Sequence, residues 1–399
     1  MEPLAKRLRN ALPGELPEPD LEQGVARISH PDPLRFWSHL LDALEGERSS
    51  ALMNPHWPEA WRDQLGRSAG VLPPGEGPLF LVPTSGSSQL PKFCIHDPDT
   101  LTCAAIGYAQ QFGTEGIIHS VNVLPQHHVG GFMPVFRSAE CGGKVHFADY
   151  QDPTTFRKAP FPLDQASLSV VPTQLGRMRG DEALVRILKS FALVLVGGAA
   201  CPPDILDWAR REGIRLAPCY GSTETAAMVT VMDPESFASG ISGVGCPLPH
   251  ARIQIDSEER ILVDSGACLR QYHPAQEGLL REPWPTGDLG HIDEDGHLHI
   301  HGRADRVIIS GGEKIHPELV ESAALATGLV TAVRCVGAAD ADWGQRVELT
   351  AVAARPDLNV DSLRQSLSKS LPPFAVPKVI HFTDEIPTDS MGKVTDSSV

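Results

Sequence analysis

The stretch TGDLGHIDEDGHLHIHGRADRVIISGGEKIHPELVE, residues 286–321, decides how the rest of the chain is read. A carboxylate, Asp288, follows a Thr286-Gly287 turn. A short β-hairpin comes next, then a Gly-Arg-Ala-Asp-Arg junction, an apolar strand through Val307, Ile308 and Ile309, and a Gly311-Gly312 turn. A helix opens at Pro317, where the missing N–H is no loss. His297, His299 and His301 recur at period two, which puts three imidazoles on one strand face. With no fourth ligand in view they read as surface strand residues rather than a metal site.

Composition limits what such a chain does. With 399 residues, 41% of them hydrophobic, it is long enough for two domains and a large core. The formal net charge of −16 argues against a general nucleic-acid binder, so an anionic ligand must be held by local donors. Eight scattered cysteines include no Cys-x-x-Cys pair and suggest a reducing, cytoplasmic setting. The N-terminal MEPLAKRLRNALPGELPEPD lacks an apolar core of signal-peptide length, and no later run is long enough to span a membrane.

Upstream, Leu34, Phe36, Trp37, Leu40, Leu41 and Leu44 recur at helical spacing and predict a packing helix. A buried strand ending at Pro83 leads into TSGSSQLPK, residues 84–92. Small hydroxyl and glycine residues closed by a lysine suit a polyphosphate, because backbone N–H groups can approach the oxygens closely. The spacing differs from the GxxxxGK[ST] phosphate loop. In LPQHHVGGFMPVFRS, residues 124–138, His128 and the two glycines follow a strand end where open α/β sheets bind ligands. His127 and His128 are equally open to a bland reading as a polar pair capping the next helix. Arg137 falls on what reads as the first turns of that helix. Two strand-turn-helix units follow, and alternating units of this kind give a parallel sheet covered by helices. Leu193–Val196 runs into Gly197-Gly198, and RLAPCYG returns to Tyr220-Gly221-Ser222-Thr223-Glu224. Any one hydroxyl there is explained by a capping box. Residues 243–301 predict a small antiparallel subdomain, and residues from Arg306 onward a compact α+β module.

Taken together, TSGSSQLPK, LPQHHVGG, YGSTE, TGD, the GRADR junction and the closing PTDSMGK resemble the adenylate-forming superfamily, which includes acyl-CoA synthetases, luciferases and peptide-synthetase adenylation domains. Ser88 and Gln89 stand where the usual TSGTTGxPK loop has Thr and Gly. LPxxHVGG with a downstream Arg-Ser is similar to the 2-succinylbenzoate–CoA ligase branch in particular. The resemblance covers about residues 79–394 and implies a fold with a large N-terminal domain of helix-covered, mostly parallel sheets plus a small β-subdomain. A small mobile α+β domain follows it. The implied division is 1–304 and 305–399 about a hinge at Asp305, with the region ahead of Thr84 shorter than usual.

The resemblance also implies roles. Thr84, Ser85, Gly86, Ser87, Ser88 and Lys92 would hold phosphates; Gly198, Tyr220 and Gly221 the adenine; Asp288 and Arg303 the ribose. Thr223 would meet the phosphate and Glu224 would hold Mg²⁺. His128, Gly197 and Arg137 would line the acyl pocket; the catalytic residues implied are Lys393, the catalytic lysine, together with His128, Thr223 and Glu224. The implied reaction joins a small carboxylic acid to CoA through an acyl-adenylate formed from ATP, with 2-succinylbenzoate, a menaquinone or phylloquinone precursor, as the expected acid. Another acid–thiol ligase, aryl or short to medium acyl, and a noncatalytic nucleotide-binding relative are the alternatives. A homodimer is left open.

Overall fold

The tetrapeptide Leu193–Val196 shows how this chain layers itself. Side chains on a strand alternate between faces, and a strand apolar at every position must be covered on both. Leu193 and Leu195 pack on one side against Tyr108 and Phe112. Val194 and Val196 pack on the other against Leu175, Leu188 and Trp208. The strand is the centre of a seven-stranded sheet. The computed structural model of the chain describes residues 3–17, 25–69, 77–84, 92–274 and 283–387.

In that sheet Val145–Phe147, His119–Asn122, Ala166–Val170, Leu193–Val196 and Leu216–Ser222 pair in parallel, each step crossing over through helix. Ala227–Val231 and Cys246–Pro247 extend it antiparallel. A second, five-stranded sheet runs in the order Ala26–Ile28, Ser50–Leu52, Phe80–Pro83, Phe93–His96, Gln271–His273. Its first three strands are parallel and the last two antiparallel. Helices Pro98–Phe112 and Val129–Cys141 lie between the two sheets. Leu101, Phe132 and Phe136 join Phe80 and Val82 of the five-stranded sheet and Val145 of the other in one core. The predicted Leu34 helix is present as Pro33–Glu45, with Trp37 stacked on Phe132 at 5.2 Å.

The helix Val129–Cys141 starts where it does because of glycine. A Cβ on Gly131 would lie 2.2 Å from the Pro125 carbonyl oxygen, so only a bare backbone lets the helix begin against that loop. Asn122 then donates to the Gly131 carbonyl at 2.6 Å, fixing the strand end to the helix start.

Four antiparallel strands, Ala251–Ile255, Arg260–Ser265, Trp284–Ile292 and Leu298–Arg303, form the predicted β-subdomain. Beyond them a separate core, including Ile308, Val320, Leu349, Leu363 and Ile380, closes the C-terminal module. Its helix Pro317–Ala326 begins at the predicted proline. Arg306 ties that helix down through Glu318 and Glu321, both at 2.7 Å. No helix among the described residues is long and apolar enough to cross a membrane. All eight cysteines are free thiols.

Candidate active site

In the Leu216–Ser222 strand the buried run ends at Pro218; Tyr220 is half-buried, and Gly221 follows it into a tight passage. A Cβ on Gly221 would lie 1.9 Å from the Ala227 carbonyl oxygen, because the antiparallel neighbour crosses directly over it. The backbone then turns through Thr223–Thr225, where the Thr225 hydroxyl accepts from the Ser222 N–H at 3.0 Å. That tight turn presents Tyr220, Thr223 and Glu224 together at the strand's carboxyl end.

Two side chains from elsewhere hold this turn. His96, fully buried on the Phe93–His96 strand, places Nε2 2.8 Å from the Thr223 carbonyl oxygen. A carbonyl only accepts, so Nε2 carries the proton and Nδ1 faces the Thr100 hydroxyl at 3.1 Å. Burial pushes this imidazole down to about 4, which keeps it neutral. Tyr272 donates its hydroxyl to Glu224 at 2.8 Å. Burial and the Glu224 charge together push the Tyr272 phenol far above its ordinary range. Of four tyrosines in the chain, Tyr220 and Tyr272 both sit here, each with its hydroxyl on a carboxylate.

Tyr220 donates to Asp288 at 2.6 Å. Asp288 lies across the sheet from Arg303, whose guanidinium is 3.6 Å from its other oxygen. Gly287, at φ +79°, turns the chain beneath that guanidinium, and a Cβ there would stand 3.2 Å from it. Burial raises the Asp288 carboxyl above its ordinary value, against the opposing pull of the Tyr220 hydroxyl and Arg303. Arg303 forks onto Asp305 at 3.1 and 2.9 Å, which holds the Asp305 carboxyl below its ordinary value.

The phosphate-loop candidates are seen only at their two ends. Thr84 N–H donates to the Lys92 carbonyl at 2.9 Å, closing the loop at its neck, and Lys92 is exposed. Ser85, Gly86, Ser87, Ser88 and Lys393 lie outside the described residues. The neck is four residues from His96, so one strand links this loop to Thr223 and Glu224. Glu224 suits Mg²⁺: it offers a half-buried hard oxygen donor, held in place by Tyr272, of the kind Mg²⁺ takes alongside substrate phosphates.

The acyl-pocket candidates separate into two groups. Gly197 abuts Cys219, with a Cβ 2.7 Å from its sulfur, and Gly198 takes φ +83° beside Val171. Arg137 reaches the same neighbourhood from the opposite side: it is 4% exposed, 3.4 Å from the Ser169 hydroxyl and 5.4 Å from the centre of the Tyr108 ring. It is the ninth residue of its helix rather than on the first turns, and its inward direction comes from that later position. No carboxylate among the described residues pairs with it, and burial lowers its pKa. His250, half-exposed and packed on Gly107, has both ring nitrogens without partners and is pushed down to about 4 by burial and by Arg137. His128 occupies the helix N-cap without a side-chain capping bond, while His127 is buried, its Nε2 unpaired, and is lowered to about 3 by burial. The pair therefore does not cap the helix through its side chains.

The three strand histidines also part company. His297 is buried, contrary to the surface expectation, because the hairpin turn folds Asp293 back over it. His299 Nε2 donates to the Asp293 carboxylate at 2.8 Å. His301 instead faces Glu259 and His316.

His96, Tyr272 and His250 were not legible as site residues. His96 had one signal, a polar side chain ending a fully apolar strand. Tyr272 had none, since its partner is 48 residues away.

Family comparison gives this arrangement its context. The sequence profile of the AMP-binding enzyme family matches residues 24–267, and that of the AMP-binding enzyme C-terminal domain matches residues 319–393. The chain belongs to the AMP-binding enzyme family. It is 27% identical over 333 residues to the 2-succinylbenzoate–CoA ligase of Geobacillus sp. (strain WCH70), an alignment covering 78% of this chain and 66% of that protein. The chain thus spans just under two thirds of that relative's length. Among solved structures, the o-succinylbenzoate CoA synthetase of Bacillus subtilis in complex with its acyl-adenylate intermediate superposes with a TM-score of 0.81 at 20% identity, covering 93% of this chain and 86% of that one. ATP-bound MatB from Rhodopseudomonas palustris superposes with a TM-score of 0.78 at 20% identity, covering 94% and 88%.

Proposed function

We propose that this chain is an AMP-forming carboxylate–CoA ligase whose acid is 2-succinylbenzoate. The observation that carries the ligase reading is the Tyr220–Asp288 hydrogen bond. It joins the end of the parallel sheet to the β-subdomain, and so brings an aromatic ring and a carboxylate suited to ribose hydroxyls to the strand end that also carries Glu224. The substrate carboxylate attacks the α-phosphorus of ATP, the bond to pyrophosphate breaks, and an acyl-adenylate remains. CoA thiolate then displaces AMP. Positioning and neutralisation of phosphate charge supply most of the acceleration. Thr84, Lys92 and the intervening hydroxyls take the phosphates. Glu224 holds Mg²⁺, which supplies charge neutralisation when bound. Tyr220 and Gly198 flank the adenine, Asp288 and Arg303 take the ribose, and Lys393 steadies the reacting oxygens. Residues 305–399 rotate about Asp305 between the two steps. A reducing cytoplasm suits the free thiols and the CoA substrate.

The acid is chosen by Arg137. A buried guanidinium without a carboxylate is unfavourable, whereas a bidentate pair with a substrate's second carboxylate is strong and directional. Similarity to 2-succinylbenzoate–CoA ligases supports the same choice. The test is acid-dependent pyrophosphate release from ATP across aliphatic, aryl and dicarboxylic acids, with and without CoA. Release with 2-succinylbenzoate above all others is expected. No release with any acid would overturn the enzyme reading, and a preference for a monoacid would overturn the diacid.

A further inference from the structure

We propose that Glu259, His301 and His316 form a binding site for a divalent transition-metal cation, with Zn²⁺ the best match, that bridges the β-subdomain and the C-terminal module. One ligand atom from each residue lies within 4.8 Å of the other two. Around a tetrahedral Zn²⁺, donors at about 2.0–2.2 Å are separated by roughly 3.3–3.6 Å. His301 Nδ1 and a Glu259 oxygen are already 3.9 Å apart, so closure requires only side-chain rotation. Two imidazoles and one carboxylate, with water completing the set, are ligands suited to Zn²⁺ rather than to Mg²⁺ or Ca²⁺.

Two features set this cluster apart from a chance gathering of surface histidines. His316 stands at the N-cap of the Pro317–Ala326 helix without capping it, and its Nδ1 is buried with no hydrogen-bond partner. That leaves a buried nitrogen lone pair or N–H unsatisfied, which is unfavourable unless something binds there. The His301 ring is oriented by a second imidazole: its Nε2 is 2.8 Å from His291 Nδ1. A metal-ligating histidine usually passes its other N–H to such an acceptor, which fixes the ring and the tautomer. The two nitrogens of His301 therefore point one at His291 and one at Glu259. Glu259 itself sits at φ +64° in the turn between two strands, where a residue with less to lose would be glycine or asparagine.

The consequence follows from where the ligands fall in the chain. Glu259 and His301 precede Asp305, and His316 follows it. A cation shared by all three staples the C-terminal module in the present orientation. This stapling rests on the proposed rotation about Asp305; the metal site itself does not.

The experiment uses the full chain, stripped with a chelator and titrated with Co²⁺ as a spectroscopic stand-in for Zn²⁺. One Co²⁺ per chain is expected, with the intense visible bands of four-coordinate cobalt, displaced by Zn²⁺. Glu259→Gln, His301→Ala and His316→Ala should each weaken binding at least tenfold, and His291→Ala by about 10- to 100-fold, as for loss of an orienting partner. Thermal denaturation of each variant separates lost binding from lost folding, since Glu259 is exposed and His301 and His316 are half-exposed. Zn²⁺ should slow amide hydrogen exchange over residues 304–316 in the parent chain and not in His316→Ala. No cobalt bands, or bands that persist in both His301→Ala and His316→Ala, would overturn the site. Binding without slowed exchange would overturn the staple. Neither result bears on acid-dependent pyrophosphate release, which is measured without added Zn²⁺.

Discussion

Replacing Arg137 with leucine separates its structural from its substrate role. In the chain itself the guanidinium has two contacts to lose. It makes one long hydrogen bond, 3.4 Å to Ser169, and lies 5.4 Å from the Tyr108 ring, a contact worth about 2 kcal/mol when desolvated. Against this stands the desolvation of a charge that is 4% exposed with no carboxylate partner among the described residues. The two effects oppose each other, so Arg137→Leu is expected to change the thermal midpoint little, or raise it. With a bound diacid the balance reverses. Loss of a buried, charged pair with the second carboxylate is worth about 2–4 kcal/mol, which at about 1.4 kcal/mol per decade raises KM roughly 30- to 800-fold. Monocarboxylate analogues should be unaffected or improved. The assay is steady-state pyrophosphate release with 2-succinylbenzoate and with a matched keto monoacid. Equal loss of both activities would show that Arg137 is a packing residue, and the diacid assignment would lose its physical support.

Asp288→Asn tests the raised carboxyl. A buried acid whose folded pKa lies above its unfolded value stabilises the fold only while protonated, and that stability is lost as pH rises through the folded pKa. The asparagine chain should therefore gain in thermal midpoint over the parent as pH rises above the ordinary carboxyl range and then level off, while AMP affinity falls at least about tenfold; a gain that is flat with pH would refute the raised value. Lys393→Ala is expected to impair adenylate formation far more than transfer of a supplied acyl-adenylate to CoA, since only the first step builds charge on the α-phosphate, and equal losses would refute the division. Asp305→Pro, which fixes φ near −65°, should slow the CoA step while sparing adenylation. Asp305→Ala, which removes only the Arg303 pair, is the control, and a wild-type rate of CoA transfer in the proline variant would exclude Asp305 as the hinge. His96→Ala should lower adenylation several-fold by releasing the Thr223 carbonyl, with recovery in His96→Asn if that side chain restores the donor; no difference between the two variants would deny His96 its positioning role.

Local patterns determined the architecture here, because the physics behind them is local. The unbroken apolar run Leu193–Val196, the Gly197-Gly198 and Gly311-Gly312 turns, and prolines opening the helices at Pro203 and Pro317 each act within a few residues. They place strand ends in chain order, and strand ends are where Tyr220, Glu224 and Asp288 fall. The tertiary structure decided which of those ends meet. The Tyr220–Asp288 bond spans 68 residues and the His96 contact with Thr223 spans 127, and neither leaves a spacing in the sequence. The same is true of direction. Arg137 points inward because its helix is sandwiched between two sheets, and His301 leaves its strand neighbours for Glu259 and His316 because the hairpin turn claims His297 and His299 through Asp293. A sequence records which side chains a strand or helix carries; only packing against the other elements fixes what each of them faces.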